Sequence, residues 1–235
     1  LCGIRVISMP GGGSNWDDIM DAPSASLNIV VRDELGLSLA KQMEQDFGTS
    51  YMSCGLPYGT DGTMAWLSEI IEKLGAGELT RASHEAAKLK EFLLRKGNNL
   101  ESLWGPLWFD VVLISAPPSE ALGIAETIRS EWIDTARLVI HAQCVTEKTT
   151  PAADTIRVVM KNEKEIAKDY EDWQGGLVLS SSHETHLLRR MGRSFTGFHI
   201  ALPSHDEVHF SDLPQCGLRG AGYLYEQLWN AKLRK

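Results

Sequence analysis

The densest group of titratable side chains in the sequence is His205, Asp206, Glu207 and His209, introduced by Pro203. Imidazoles titrate near neutrality and carboxylates carry lone pairs, so the group has the makings of a general acid/base set or a metal site. Its plainer reading is a solvated loop. A second run is Ser180-Ser181-Ser182-His183-Glu184-Thr185-His186. The order is H-E-x-H, not the zinc-protease H-E-x-x-H. His183 and His186, three apart, would share a helix face and could bind metal. No third ligand lies nearby in sequence, so no metal site is assigned. Serine before a helix with an acid in its first turn contributes about 1 kcal/mol to that helix whatever the function. A helix start of this kind facing a cleft can also receive an anion.

Arg32-Asp33-Glu34 is the third candidate. Either Asp33 caps the following helix and Arg32 pairs with a carboxylate, or Arg32 meets an anionic ligand through its planar fork of donors. The run Gly11-Gly12-Gly13-Ser14 could cradle an anion with its N–H groups. It is neither G-x-G-x-x-G nor a Walker A loop, and the plainer reading is a turn that needs positive φ. Cys54, Cys144 and Cys216 read as small buried apolar residues, with Cys54 and Cys144 at strand ends. Trp104 and Trp108 read as domain packing. No side chain is assigned a catalytic role.

These residues must be carried by short apolar strands alternating with helix-period stretches. Strands are expected at Gly3–Met9, Leu27–Val31, Ser50–Cys54, Val111–Ser115, Leu138–Gln143, Thr155–Met160, Leu177–Ser180 and Phe198–Leu202. Helices are expected at Asn15–Asp21 with Ser14 as N-cap, Leu35–Phe47, Thr60–Leu74, Ser119–Trp132, Glu163–Asp172, Glu184–Met191 and Ala221–Leu233. In the second helix Leu35, Leu39, Met43 and Phe47 form the expected inward stripe. The alternation predicts an α/β fold: two Rossmann-like units with parallel sheets flanked by helices. The expected division is 1–76 for the first unit, 77–100 for a charged, alanine-rich helical linker and 101–235 for the second. In such folds ligands lie at the carboxyl ends of the strands, which singles out loops 10–15, 32–34, 55–62, 116–119, 181–184 and 203–217.

Bulk properties narrow the function. The 235 residues carry a net charge of −8, which argues against a nucleic-acid surface, since that needs a basic face. Four cysteines without a C-x-x-C pair suggest a reduced, cytoplasmic protein rather than a disulfide scaffold. No apolar run reaches membrane-spanning length, so no membrane partner is expected. The chain opens on Leu1 and enters an apolar pattern at once, so it is expected to be a piece of something longer.

Two stretches resemble the nitrogenase component 1-type oxidoreductase family, which includes both molybdenum–iron protein subunits, their assembly scaffold and the dark-operative protochlorophyllide reductase. The first is ASLNIVVRDELGLSLAKQMEQDFGTSY, Ala25–Tyr51, followed by the PYGTDGT turn at Pro57–Thr63. Ala25, Leu27, Asn28, Val30, Glu44, Phe47 and Gly48 match the family's A-x-LN-V strand and E-x-x-[YF]-G helix end. The second is LVLSSSHETHLLRRMG, Leu177–Gly192, with LPSHDEVHFSDLPQCGLRGA, Leu202–Ala221. The resemblance covers the C-terminal two-thirds of a family member.

The resemblance implies a subunit that receives electrons from an ATP-dependent iron–sulfur reductase and holds a ligand in an interdomain cleft. It also implies a homologous second subunit, and an iron–sulfur cluster held by an N-terminal domain absent from this sequence. Arg32 stands where catalytic nitrogenase subunits have a cofactor-ligating cysteine. Glu207, flanked by His205 and His209, stands nearest their cofactor histidine, and His183 replaces a lysine that contacts the cofactor's organic acid. Arginine stays cationic and offers no lone pair to iron. The cleft contacts expected on this basis are Arg32, Ser181, Ser182, His183, His205, Glu207 and His209, with a tetrapyrrole carboxylate or organic acid as the ligand of Arg32. The missing cysteine also admits a non-catalytic scaffold or binding module for a metallocofactor or tetrapyrrole.

Overall fold

The computed structural model describes residues 2–142, 167–168, 170–202, 204–206 and 214–234. Its first half runs α1 (Trp16–Met20), β1 (Asn28–Val30), α2 (Asp33–Phe47), β2 (Tyr51–Ser53), α3 (Thr60–Leu74) and α4 (Thr80–Trp104). The second half runs β3 (Trp108–Ala116), α5 (Pro118–Thr127, continued by a π turn Ile128–Trp132), β4 (Asp134–Ala142), β5 (Leu177–Ser180), α6 (Ser182–Arg190), β6 (Thr196–His199) and α7 (Gly217–Leu233).

Both sheets are parallel. β1 pairs with β2 in the register Asn28–Tyr51, Ile29–Met52, Val30–Ser53. The larger sheet has the order β4-β3-β5-β6, with Ile114 of β3 opposite Ile140 on one side and Leu179 on the other. Side chains alternate across a strand, and β3 shows the consequence. Val112 and Ile114 enter the core under α5 and α7, beside Ala121, Ile124, Leu224 and Leu228. Leu113 enters the opposite core, with Leu187 and Leu188 of α6 and the rings of Tyr170 and Trp173. Helices thus cover both faces, as the continuous apolar strands require. All strand tips within a sheet point the same way, so the loops after β3, β5 and β6 share one edge.

Several expectations are corrected. Gly3–Met9 is not a strand: it pairs with no sheet, and the Cys2 carbonyl accepts from Glu78 N in the α3–α4 connection at 3.2 Å. Alternating apolar residues make a strand only where a neighbouring edge supplies hydrogen bonds. Ser14 does not cap α1. Asn15 does, in a reciprocal pair with Asp18, while Ser14 Oγ accepts from Met9 N at 2.6 Å. In α2 the periodicity is as expected but the face is rotated. The small residues Gly36 and Ala40 turn inward, Gly36 lying against Val30, while Leu35, Leu39 and Phe47 are exposed. Trp104 and Trp108 are 61% and 41% exposed and do not pack between domains. β6 ends at His199 rather than Leu202 because Ile200 N and Ala201 N both turn to the Ser180 carbonyl. The strand expected at Thr155–Met160, half of the helix at Glu163–Asp172, and Cys144 lie outside the described residues. No helix among the described residues is long and apolar enough to cross a membrane.

Candidate functional site

The first wall is built at the tips of β1 and β2. Arg32 leaves β1 in extended conformation as the residue preceding α2, with no side-chain cap, and Asp33 begins the helix. The Asp33 carboxylate accepts from the Ser53 hydroxyl at the end of β2. The Arg32 guanidinium is paired with Glu120 in the first turn of α5. Ser119 Oγ, one residue earlier, donates to Glu34 Oε2 at 2.6 Å. α2 is therefore fastened to the amino end of α5 by adjacent residues on each side. Between them lies a cavity of about 190 Å³ lined by Asp33, Ser53, Cys54, Ser119, Leu122 and Gly123.

Burial pushes the Glu120 carboxyl above its ordinary value; Arg32 opposes that shift and Glu34 adds to it. Below Glu120, Tyr58 and Cys216 are hydrogen-bonded to one another, and burial raises the Tyr58 phenol and lifts the Cys216 thiol to about 11. A thiol so placed stays protonated at neutral pH and is a poor nucleophile.

The second wall is built at the tips of β3, β5 and β6. Ser181 caps α6, accepting from His183 N at 3.2 Å. Glu184 answers it: Oε2 accepts from Ser181 N at 3.2 Å and Ser181 Oγ at 2.5 Å, and Oε1 accepts from Ser115 Oγ at 3.1 Å. Ser115, Ser181 and Glu184 are all buried, so a carboxylate held inside the fold is satisfied by hydroxyls and an amide, as burial demands. Ser182 Oγ accepts from the backbone N–H of His205 at 3.1 Å. Asp206 meets Arg189 at 2.6 Å, and that hydrogen bond holds its carboxyl below the usual range.

The stretch Ser115–Glu120 joins the walls, because its first residue is held by Glu184 and its last by Arg32. Of the expected cleft residues, Arg32 lies on the first wall and Ser181, Ser182, His183 and His205 on the second. Ser181 and Ser182 are buried while His183 and His205 are exposed. Glu207 and His209 lie outside the described residues. The plainer reading of Arg32, pairing with a carboxylate, is observed. Its companion, Asp33 as cap, is corrected, since Asp33 is the first helical residue. The glycine run at 11–13 is an exposed turn ahead of a five-residue helix that caps itself.

Glu120, Ser115 and His199 were not singled out by sequence, whereas Ser119 and Tyr58 lie in the loops 116–119 and 55–62 that were, without a role of their own. Glu120 had a signal: it follows loop 116–119, at the start of a helix that leaves an apolar strand. Among the described residues no group of three or more His, Cys, Asp or Glu is arranged to hold a metal ion. The donor set at the β1 tip, an arginine bound to a glutamate, does not fit a metal cluster ligated there in the manner of a catalytic nitrogenase subunit.

Comparison with known proteins supplies the frame. The family model described as nitrogenase component 1 type oxidoreductase matches residues 1–233. One subunit of the light-independent protochlorophyllide reductase of Chloroherpeton thalassium is 25% identical across 97% of this chain and 45% of its own length. The nitrogenase iron-molybdenum cofactor biosynthesis protein NifE of Clostridium pasteurianum is 36% identical across 43% of this chain and 20% of its own. A solved structure of nitrogenase Cp1 at pH 6.5 superposes with a TM-score of 0.69 at 17% identity, over 99% of this chain and 50% of that one. The chain thus spans about half the length of the full-length matches and shares their fold.

Proposed function

This chain belongs to the nitrogenase component 1 type oxidoreductase family, and from that premise we propose that it forms the ligand-facing walls of a nitrogenase-like oxidoreductase subunit. In this reading the subunit receives electrons from an ATP-dependent iron–sulfur reductase and works beside a homologous second subunit. An iron–sulfur cluster is held by an N-terminal domain beyond this sequence. The units are 1–76, a helical linker at 77–100, and 101–235. The ligand is a tetrapyrrole bearing carboxylates, favoured by the near-complete coverage of this chain by the protochlorophyllide reductase subunit. Contacts come from Arg32, Ser182, His183 and His205, with Ser181, Glu207 and His209 in the same set.

One observation carries the reading: the β3 tip is tied to Arg32 through Glu120 and to α6 through Ser115 and Glu184. Arg32 remains able to meet a ligand carboxylate. Its side chain is 38% exposed, and a guanidinium has more donors than Glu120 can occupy. Charge-assisted pairing would orient the ligand, and the exposed imidazoles of His183 and His205 offer hydrogen-bonding nitrogens beside it.

The test is anaerobic purification of the full protein with its partner subunit, followed by addition of the reductase, ATP and protochlorophyllide. ATP-dependent reduction with an iron–sulfur spectroscopic signal is expected. The absence of both would sink the reading.

A scaffold role is the second reading, favoured by Arg32 at the cofactor-cysteine position and by the similarity to the cofactor biosynthesis protein. Arg32→Ala separates the two: it removes turnover in an oxidoreductase, but only ligand retention in a scaffold.

A further inference from the structure

β6 ends at His199, a buried histidine that belongs to neither wall's expected contacts. Its Nδ1 lies 3.0 Å from Ser204 Oγ and its Nε2 lies 3.2 Å from Thr185 Oγ1. Asp206 Oδ1 is 3.5 Å from the same Nε2. The ring therefore ties β6 to α6 on one side and to the following loop on the other. Hydroxyls donate or accept, so either neutral tautomer satisfies both nitrogens.

The described part of that loop, residues 204–206, has little else to hold it. Ser204 is half-buried, His205 and Asp206 are exposed, and Leu202 just before them is 83% exposed. A segment without buried apolar contacts opens at low cost. Polar contacts set its place: Ser204 with His199, the His205 N–H with Ser182, and Asp206 with Arg189 and, at 3.5 Å, with His199 Nε2. Of these, the Arg189–Asp206 pair is solvent-exposed and weak. The His205 contact lies directly beside Ser204, so it depends on where Ser204 is held.

We propose that His199 is a positioning residue: through Ser204 it sets loop 204–206 so that His205 is presented at the amino end of α6. The proposal deepens the cleft reading above and rests on it for the role of His205. The imidazole of His199 acts through the loop and touches no ligand itself.

The experiment compares two amides that each keep half of the ring's bonding. His199→Asn places its amide near Nδ1, within reach of Ser204; His199→Gln places it near Nε2, within reach of Thr185. Hydrogen exchange is followed in the full protein, along with fluorescence titration with protoporphyrin IX. In the Gln variant the His205 amide should exchange about fivefold to tenfold faster, the equivalent of one lost hydrogen bond, and porphyrin affinity should fall by a similar factor. In the Asn variant both should stay within about twofold of the parent, while β5 and α6 keep their protection in each. A merely structural histidine would make the two variants alike, and that result overturns the proposal. Should either variant lose the fold, Ser204→Ala is the deciding substitution: a protected His205 amide in it overturns the proposal, a fast one supports it. If the parent binds no porphyrin while the exchange pattern is as expected, the cleft reading fails and the loop assignment survives on its own readout.

Discussion

Glu131 lies across the amino end of α3, where its Oε2 accepts from both the backbone N–H and the hydroxyl of Thr60 at 2.7 Å. Its Oε1 accepts from the N–H groups of Asp61 and Gly62, each at 3.0 Å. α3 begins after Gly59 and has no cap of its own. A carboxylate from the turn after α5 therefore satisfies donors that every helix start leaves open, and its charge opposes the helix dipole. Gly59 adopts φ +72°, and a Cβ there would run into the Glu131 carboxylate.

Removal of this clamp is expected to destabilise the protein. Glu131→Ala should lose about 2–3 kcal/mol, the worth of charged hydrogen bonds at a helix start. Glu131→Gln should lose about half of that, since it keeps one acceptor. Urea unfolding measures both, and an unchanged midpoint for the Ala variant contradicts the clamp.

In the acid range, Glu120 and Asp206 contribute to the pH dependence of stability with opposite signs. Glu120 has a raised folded value against an ordinary 4.5. The folded state thus holds its proton more firmly than the unfolded chain, and the resulting stability is full below pH 4.5 and fades as pH rises above it. Asp206 is lowered against an ordinary 3.8; its contribution is present above that value and fades as pH falls below it. Glu120→Gln should flatten the decline above pH 4.5 and leave the acid limb intact. A parent-like slope above pH 4.5 in that variant would show that Glu120 is not the group responsible.

Gly197 faces the backbone of Val178 across the β5–β6 pair, and a Cβ there would collide with the Val178 carbonyl. Gly197→Ala should cost about 3 kcal/mol or more, because the neighbour that must move is backbone within a sheet. Loss of a few tenths only, read by thermal melting, would mean that β6 is spaced more loosely than the pairing describes.

The sequence foretold what local pattern controls. Thr60–Leu74 and Leu177–Ser180 appear with the expected bounds because periodicity and flanking glycines mark them. Gly48, at φ +72°, ends α2 where the family pattern had it. Which face of α2 turns inward was not legible. Four large apolar residues outweighed Gly36 and Ala40, yet close approach to Val30 favours small ones. The partners within the site are far apart in the chain: 88 residues separate Arg32 from Glu120, and 69 separate Ser115 from Glu184. No spacing rule reaches that far. His199 was passed over because a histidine at a strand end carries no motif, and its role depends on a loop that folds back onto it.

The central claim is that the tips of β1 and β2 and the amino end of α6 face one ligand. Protoporphyrin IX affinity, measured by fluorescence for the full protein, for Arg32→Ala, for His205→Ala and for the double variant, tests it most directly. Each single substitution should weaken binding by about fivefold to tenfold. The double variant should lose less than the product of the two, as groups on one ligand are coupled. Parent-like affinity in both single variants would contradict the account.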